Sequence, residues 1–174
     1  MSDFRLLRPG PALLAAALCA CTPAEPTRAP RSVSPDTPCQ VEQVYDGDSL
    51  RVRCDGHVET VRVYCIDAPE IGQPPWGERA HRRAQRALGG GTVTLNPVER
   101  DSYGRLVATV MADGNDLGET LVRDGLAVVY TRYCPRTAPI HTAEAAARGD
   151  KLGVWRTPGL HQTPWRWRHR AATH

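Results

Sequence analysis

Val41-Glu42-Gln43-Val44-Tyr45-Asp46-Gly47-Asp48-Ser49-Leu50-Arg51-Val52-Arg53 alternates apolar and polar residues on both sides of Asp46-Gly47-Asp48. A period of two puts one face of each arm into a core and the other toward solvent. Asp-Gly suits a tight hairpin turn, because glycine adopts positive φ freely. Working outward, residues 58–66 alternate again through Val58, Val61, Val63 and Cys65, with Gly56 supplying the preceding turn. Three short strands joined by glycine-bearing turns result. A helix is expected over 76–88. Ala80, Ala84, Ala87 and Leu88 fall on one face, and Arg79, Arg82, Arg83 and Arg86 on the other. Gly89-Gly90-Gly91 ends it. Further strands read at 92–98 and 105–112, a short helix from 115 or 116 to 123, an apolar strand at 126–130, and a last helix at 141–151. Five short strands with a helix between the third and fourth suggest a small closed barrel: an α+β fold dominated by β, with about three helices.

Chemistry gathers on the same segments. Beyond the Asp46-Gly47-Asp48 turn comes Ile66-Asp67-Ala68-Pro69-Glu70, with Arg62 on the strand leading into it. Asp101-Ser102-Tyr103-Gly104-Arg105 adds a second arginine at the start of another strand. Carboxylates can hold a hard cation that takes oxygen ligands. Guanidiniums clamp phosphate through two parallel hydrogen bonds. Together they suit phosphodiester chemistry.

Asp46-Gly47-Asp48-Ser49, Val61-Arg62-Val63-Tyr64-Cys65-Ile66-Asp67-Ala68-Pro69-Glu70 and Asp101-Ser102-Tyr103-Gly104-Arg105, in this order and at this spacing, resemble the staphylococcal nuclease (thermonuclease) family. Leu121-Val122-Arg123-Asp124-Gly125-Leu126-Ala127 and the segment 143–155, ending Leu152-Gly153-Val154-Trp155, agree with it. The resemblance spans residues 39–155. Asp-Gly-Asp alone is a common turn; the order of four motifs carries the likeness. It implies the OB-fold, a five-stranded barrel whose strand face and loops commonly bind oligonucleotides.

The resemblance also implies roles. Asp48 and Asp67 would reach a single Ca²⁺, completed by the main-chain carbonyl of Ala68 and by waters. The family more often has Thr where Ala68 stands, a change that a backbone ligand survives. Asp46 reads better as a turn-closing side chain. Glu70 would orient or deprotonate the attacking water. Arg62 and Arg105 would hold the scissile phosphate and stabilise its transition state; the alternative for either is a solvated arginine paired with a neighbour. Tyr103 matches a tyrosine that contacts a terminal phosphate, while Ser102 stands where the family often has lysine. Tyr133 aligns with one of two base-stacking tyrosines, and Thr131 with the other; core or rim packing is the alternative for Tyr133. The implied activity is Ca²⁺-dependent hydrolysis of DNA and RNA by in-line water attack, breaking P–O5′ and leaving 3′-phosphate ends. The alternative is a lipoprotein of the cell envelope whose barrel binds nucleic acid without cleaving it. Retention of Asp48, Arg62, Asp67, Glu70 and Arg105 favours the enzyme.

The whole chain has 174 residues and a formal charge of only +3, so total charge does not announce a nucleic-acid binder. Residues 1–21 read as an export leader, with Arg5 and Arg8 before an apolar stretch too short to span a bilayer. Leu18-Cys19-Ala20-Cys21 resembles a lipoprotein box in which Cys21 would be lipidated and tether the protein to a membrane; ordinary cleavage nearby is the alternative. Residues 22–38 read as a Pro-rich disordered linker, 39–156 as the nuclease-like domain, and 157–174 as a basic, aromatic tail. That tail interleaves Trp165 and Trp167 with arginines, suiting bases, an anionic surface or packing on the barrel. The arginine stripe of residues 79–86 reads as a solvated helix face, with nucleic-acid contact as its alternative. In an exported protein the domain cysteines can pair. Cys39 and Cys54 lie about equally far from the hairpin turn, which favours Cys39–Cys54, with Cys65–Cys134 second. Zinc is the weaker alternative, since no Cys-x-x-Cys occurs in the domain. The expected setting is periplasmic, envelope-bound or secreted. A monomer with nucleic-acid substrates and no protein partner is expected.

Overall fold

The computed structural model describes residues 33–89 and 91–171. The alternating arms of the opening segment form β1 (Pro38–Val44) and β2 (Ser49–Cys54), with Cys39 opposite Cys54 and Val41 opposite Val52. β3 (His57–Val63) adds antiparallel to β2. Leu50, Val52, Val61 and Val63 point into the core. The strand expected over 58–66 divides at Cys65, whose φ of 67° turns the chain out of the sheet. Beyond it β4 (Ile66–Asp67) pairs instead with β8 (Val128–Val129) in a separate two-stranded sheet. The apolar segment 126–130 therefore supplies only two strand residues.

Helix α1 (Trp76–Leu88) buries Trp76, Gly77, Ala80, Ala84 and Leu88, the small-residue face the sequence presents. β5 (Thr92–Arg100) and β6 (Leu106–Ala112) form a long antiparallel pair, and β7 (Asn115–Asp116) turns back to pair antiparallel with the end of β6. Asp116 caps α2 (Leu117–Arg123) by accepting the N–H groups of Gly118 and Glu119. The strands run β3-β2-β1-β5-β6, and β3 returns to pair parallel with β6. Five strands thus close an OB-type barrel. α3 (Ile140–Gly149) follows, and disulfides join Cys39 to Cys54 and Cys65 to Cys134.

The expected tail is folded through residue 171. Two single 3₁₀ turns lead into a fourth helix, α4 (Pro164–Ala171). Proline at its start is already set to helical φ and lacks only an N–H that would have no partner there. Trp165 packs 5.3 Å from the Tyr130 ring and joins the cluster of Trp76, Val128 and Val154. The leader of residues 1–21, Cys21 and the first part of the linker lie outside the described residues.

Candidate active site

The hairpin turn is built by Asp46, whose Oδ1 accepts the N–H groups of Asp48 (2.8 Å) and Ser49 (2.7 Å). Gly47 then meets β4 and α1 at once. A Cβ there would stand 2.6 Å from the Ala68 Cβ and 2.8 Å from the Ala80 Cβ, closer than real carbons approach. This contact draws Asp48 to the Asp67-Ala68 segment. Asp48 Oδ2 accepts the Ala68 N–H at 2.5 Å, and the Ser49 hydroxyl donates to Oδ1 at 3.2 Å.

Asp67 is fully buried on β4, in the two-stranded sheet that β4 forms with β8. Arg62, near the end of β3, spans both aspartates. Its Nη1 lies 3.2 Å from Asp48 Oδ2 and its Nη2 3.1 Å from Asp67 Oδ1. Glu70 follows Pro69 on a loop fixed at both ends. Its N–H donates to Gln73 Oε1 at 2.9 Å, and the first turn of α1 lies directly on its carbonyl at Gly77, where any Cβ would clash.

One member of the cluster was not expected from the sequence. Arg168, on α4, donates to both Asp67 oxygens at 3.0 Å each and to Glu70 Oε1 at 2.6 Å. The only sequence signal available is the i, i+3 spacing of Trp165 and Arg168, which places both on one helix face. Burial opposes charging of Arg168, but its bonds to Asp67 and Glu70 outweigh this and hold it protonated above the usual arginine range.

Within this set, Asp46, Asp48, Asp67 and Glu70 face Arg62 and Arg168: four carboxylates against two guanidiniums. The imbalance is felt. Burial, then the neighbouring Asp48 charge, pushes Asp46 up to about 7 despite its backbone hydrogen bonds, and Glu70 adds to the rise. Burial and Asp48 raise Asp67 as well, against the lowering pull of Arg168 and Arg62. The donors are all oxygen and the excess charge is negative, which fits a hard divalent cation. Among the described residues, no group of three or more His, Cys, Asp or Glu gathers in metal-holding geometry. Two carboxylates with backbone and water ligands would make a weak, partly solvated site.

Arg105 is not brought into contact with these carboxylates. It stands just before β6, whose Val107 lies opposite Arg62, and its Nε donates to Asp101 Oδ2 at 2.7 Å. Asp101 also accepts the N–H groups of Tyr103 and Arg105, fixing the loop. Burial would raise the Asp101 carboxyl, but Arg105 and these N–H groups hold it below its ordinary value. Tyr103 is 84% exposed, with the Arg105 guanidinium 5.6 Å from its ring centre. Tyr133 is 55% exposed and tilts against Tyr130, so it lies at the rim and not in the core. On α1, Arg82 pairs with Glu78, Arg83 with Asp124, and Arg79 lies over Trp76, as in a solvated face.

The family model for staphylococcal nuclease homologues matches residues 60–157. The chain is 37% identical over 130 residues to the SPbeta prophage-derived endonuclease YokF of Bacillus subtilis, covering 68% of this chain and 44% of that protein. It is 36% identical over 130 residues to endonuclease YncB of the same organism, covering 68% and 62%. It is 32% identical over 139 residues to a micrococcal nuclease of Shigella flexneri, covering 74% and 79%. The chain thus spans about half the length of the two Bacillus relatives.

Proposed function

Because the chain belongs to the staphylococcal nuclease family, we propose that it is a Ca²⁺-dependent nuclease. It hydrolyses DNA and RNA phosphodiesters by in-line attack of water and leaves 3′-phosphate ends. The observation that carries this is the Arg62 bridge between Asp48 and Asp67, with Glu70 held beside them. That juxtaposition unites two strands, a turn and a loop.

Asp48, Asp67 and the carbonyl of Ala68 would hold the ion. When bound, it supplies Lewis-acid neutralisation of the phosphate's charge. The remaining work falls to side chains. Glu70 accepts a proton from the attacking water as its oxygen bonds to phosphorus. The P–O5′ bond breaks on the opposite side, and the departing oxygen takes a proton from solvent. The Arg62 guanidinium, held at this spot by Asp48 and Asp67, turns its N–H groups onto the non-bridging oxygens, where negative charge grows. Arg105 engages Asp101 through Nε, so its terminal nitrogens are left to meet phosphate from the other side. Tyr103 and Tyr133 provide exposed rings for terminal phosphate contact and base stacking.

Export is part of the proposal. Two disulfides in one small domain suit an oxidising compartment, and the leader of residues 1–21 offers the route, with Cys21 as a lipidated anchor. The test is incubation of the purified protein with single-stranded DNA, with Ca²⁺ or with chelator, beside Glu70→Ala and Arg105→Ala. Cleavage that requires Ca²⁺ and is lost in both variants supports the enzyme and its site. DNA binding without cleavage by folded wild-type protein assigns a non-catalytic binding module instead.

A further inference from the structure

We propose that Arg168 is a built-in competitor of the metal ion: α4 lays a guanidinium across Asp67 and Glu70, and a cation must displace it from Asp67 to load. The inference rests on Asp67 being a metal ligand. Arg62 uses only Oδ1 of Asp67, at 3.1 Å, which by itself would leave Oδ2 open. Arg168 takes both oxygens, at 3.0 Å each. An oxygen cannot offer the same lone pairs to a guanidinium and to a cation at roughly 2.3–2.6 Å. A divalent and a monovalent positive charge at that separation also repel.

The contact is not local accident. Arg168 reaches partners 101 and 98 residues away in sequence. Its helix is held there by the Trp165 ring on Tyr130 and by Trp167, whose ring edge covers Gly72. These anchors leave the guanidinium stem free to withdraw, since the Arg168 side chain is 43% exposed. Two states follow, one with Arg168 on Asp67 and one with the cation there. Each weakens the other by the same factor, as linkage requires. Glu70 is engaged with Arg168 in the first state, so the acid that handles water is also held until metal arrives.

Calorimetric titration of the full-length chain with CaCl₂, in the absence of nucleic acid, tests this directly. Wild type is compared with Arg168→Gln, after thermal melts show both folded. Competition predicts at least about fivefold tighter Ca²⁺ binding by Arg168→Gln. If that variant does not fold, Arg168→Lys, a point charge without the fork, should bind more tightly than wild type by a smaller factor. Equal or weaker binding by the folded variant overturns the proposal. Absence of Ca²⁺ binding by both proteins overturns the metal assignment and the competition with it. The nuclease reading itself is decided apart, by cleavage of DNA by wild type.

Discussion

Gly47 and Asp46 show how closely single residues govern the site. Gly47→Ala would drive a methyl group into Ala68 and Ala80, and overpacking of this kind costs about 1–3 kcal/mol. A lower melting temperature and weaker stabilisation by Ca²⁺ are expected, because Asp48 and Asp67 are pushed apart. Asp46 has a folded-state pKa raised to about 7, above its unfolded value. Its contribution to stability is therefore fully present in acid and is lost as pH rises through about 7. Asp46→Asn keeps the acceptor that closes the turn and removes the titration. Denaturant melts in chelator should then show a flatter profile between about pH 4 and 7, by on the order of 2–4 kcal/mol. Asp48, Arg62, Asp67 and Glu70 were legible in sequence because each sits in a short contiguous motif. Arg168 was not. Its partners lie about a hundred positions away, and alternating Trp and Arg residues do not themselves say where a helix will dock.

Among the elements, β8 is the hidden support of the site. Asp67 pairs with Val128, and the neighbouring Val129 N–H donates to the buried Glu144 Oε1 of α3 at 2.7 Å. Arg148 in turn donates to Glu144 Oε2. Glu144→Ala would strand that N–H in the interior, at about 1–3 kcal/mol, and slacken the strand that backs Asp67. Urea melts should show the loss in full for alanine and only partly for Glu144→Gln, with nuclease activity falling in the same order. The sequence read α1 well because a helix carries its signals within itself: an apolar face, an arginine face and a terminal glycine at φ 58°. It misjudged 58–66 and 126–130, where a local apolar pattern does not reveal a left-handed residue at Cys65 or a two-residue pairing in a second sheet. Strand limits are set by partners, which are distant.

At the scale of the whole molecule, the disulfides close loops of very different size, 15 residues for Cys39–Cys54 and 69 for Cys65–Cys134. Loop-closure entropy predicts losses of about 3 and about 4 kcal/mol when each pair is replaced by serines. Denaturation of the two double variants checks the order, and the larger loss should also lower activity, since Cys65 lies just before Asp67. Barrel closure reaches further still. The β3–β6 pairing sets Val61 against Leu106 and Arg62 against Val107, across a span that contains α1 and β5. The β1–β2 and β2–β3 hairpins need only short searches; this pairing must wait for a long loop to come round. Arg62 rides on the closing strand, so catalytic competence and completion of the circle are one event. In a refolding time course, cleavage of DNA should return with this slow closure and lag behind hairpin formation. A chain still emerging from a ribosome would on this account be harmless to the nucleic acid around it.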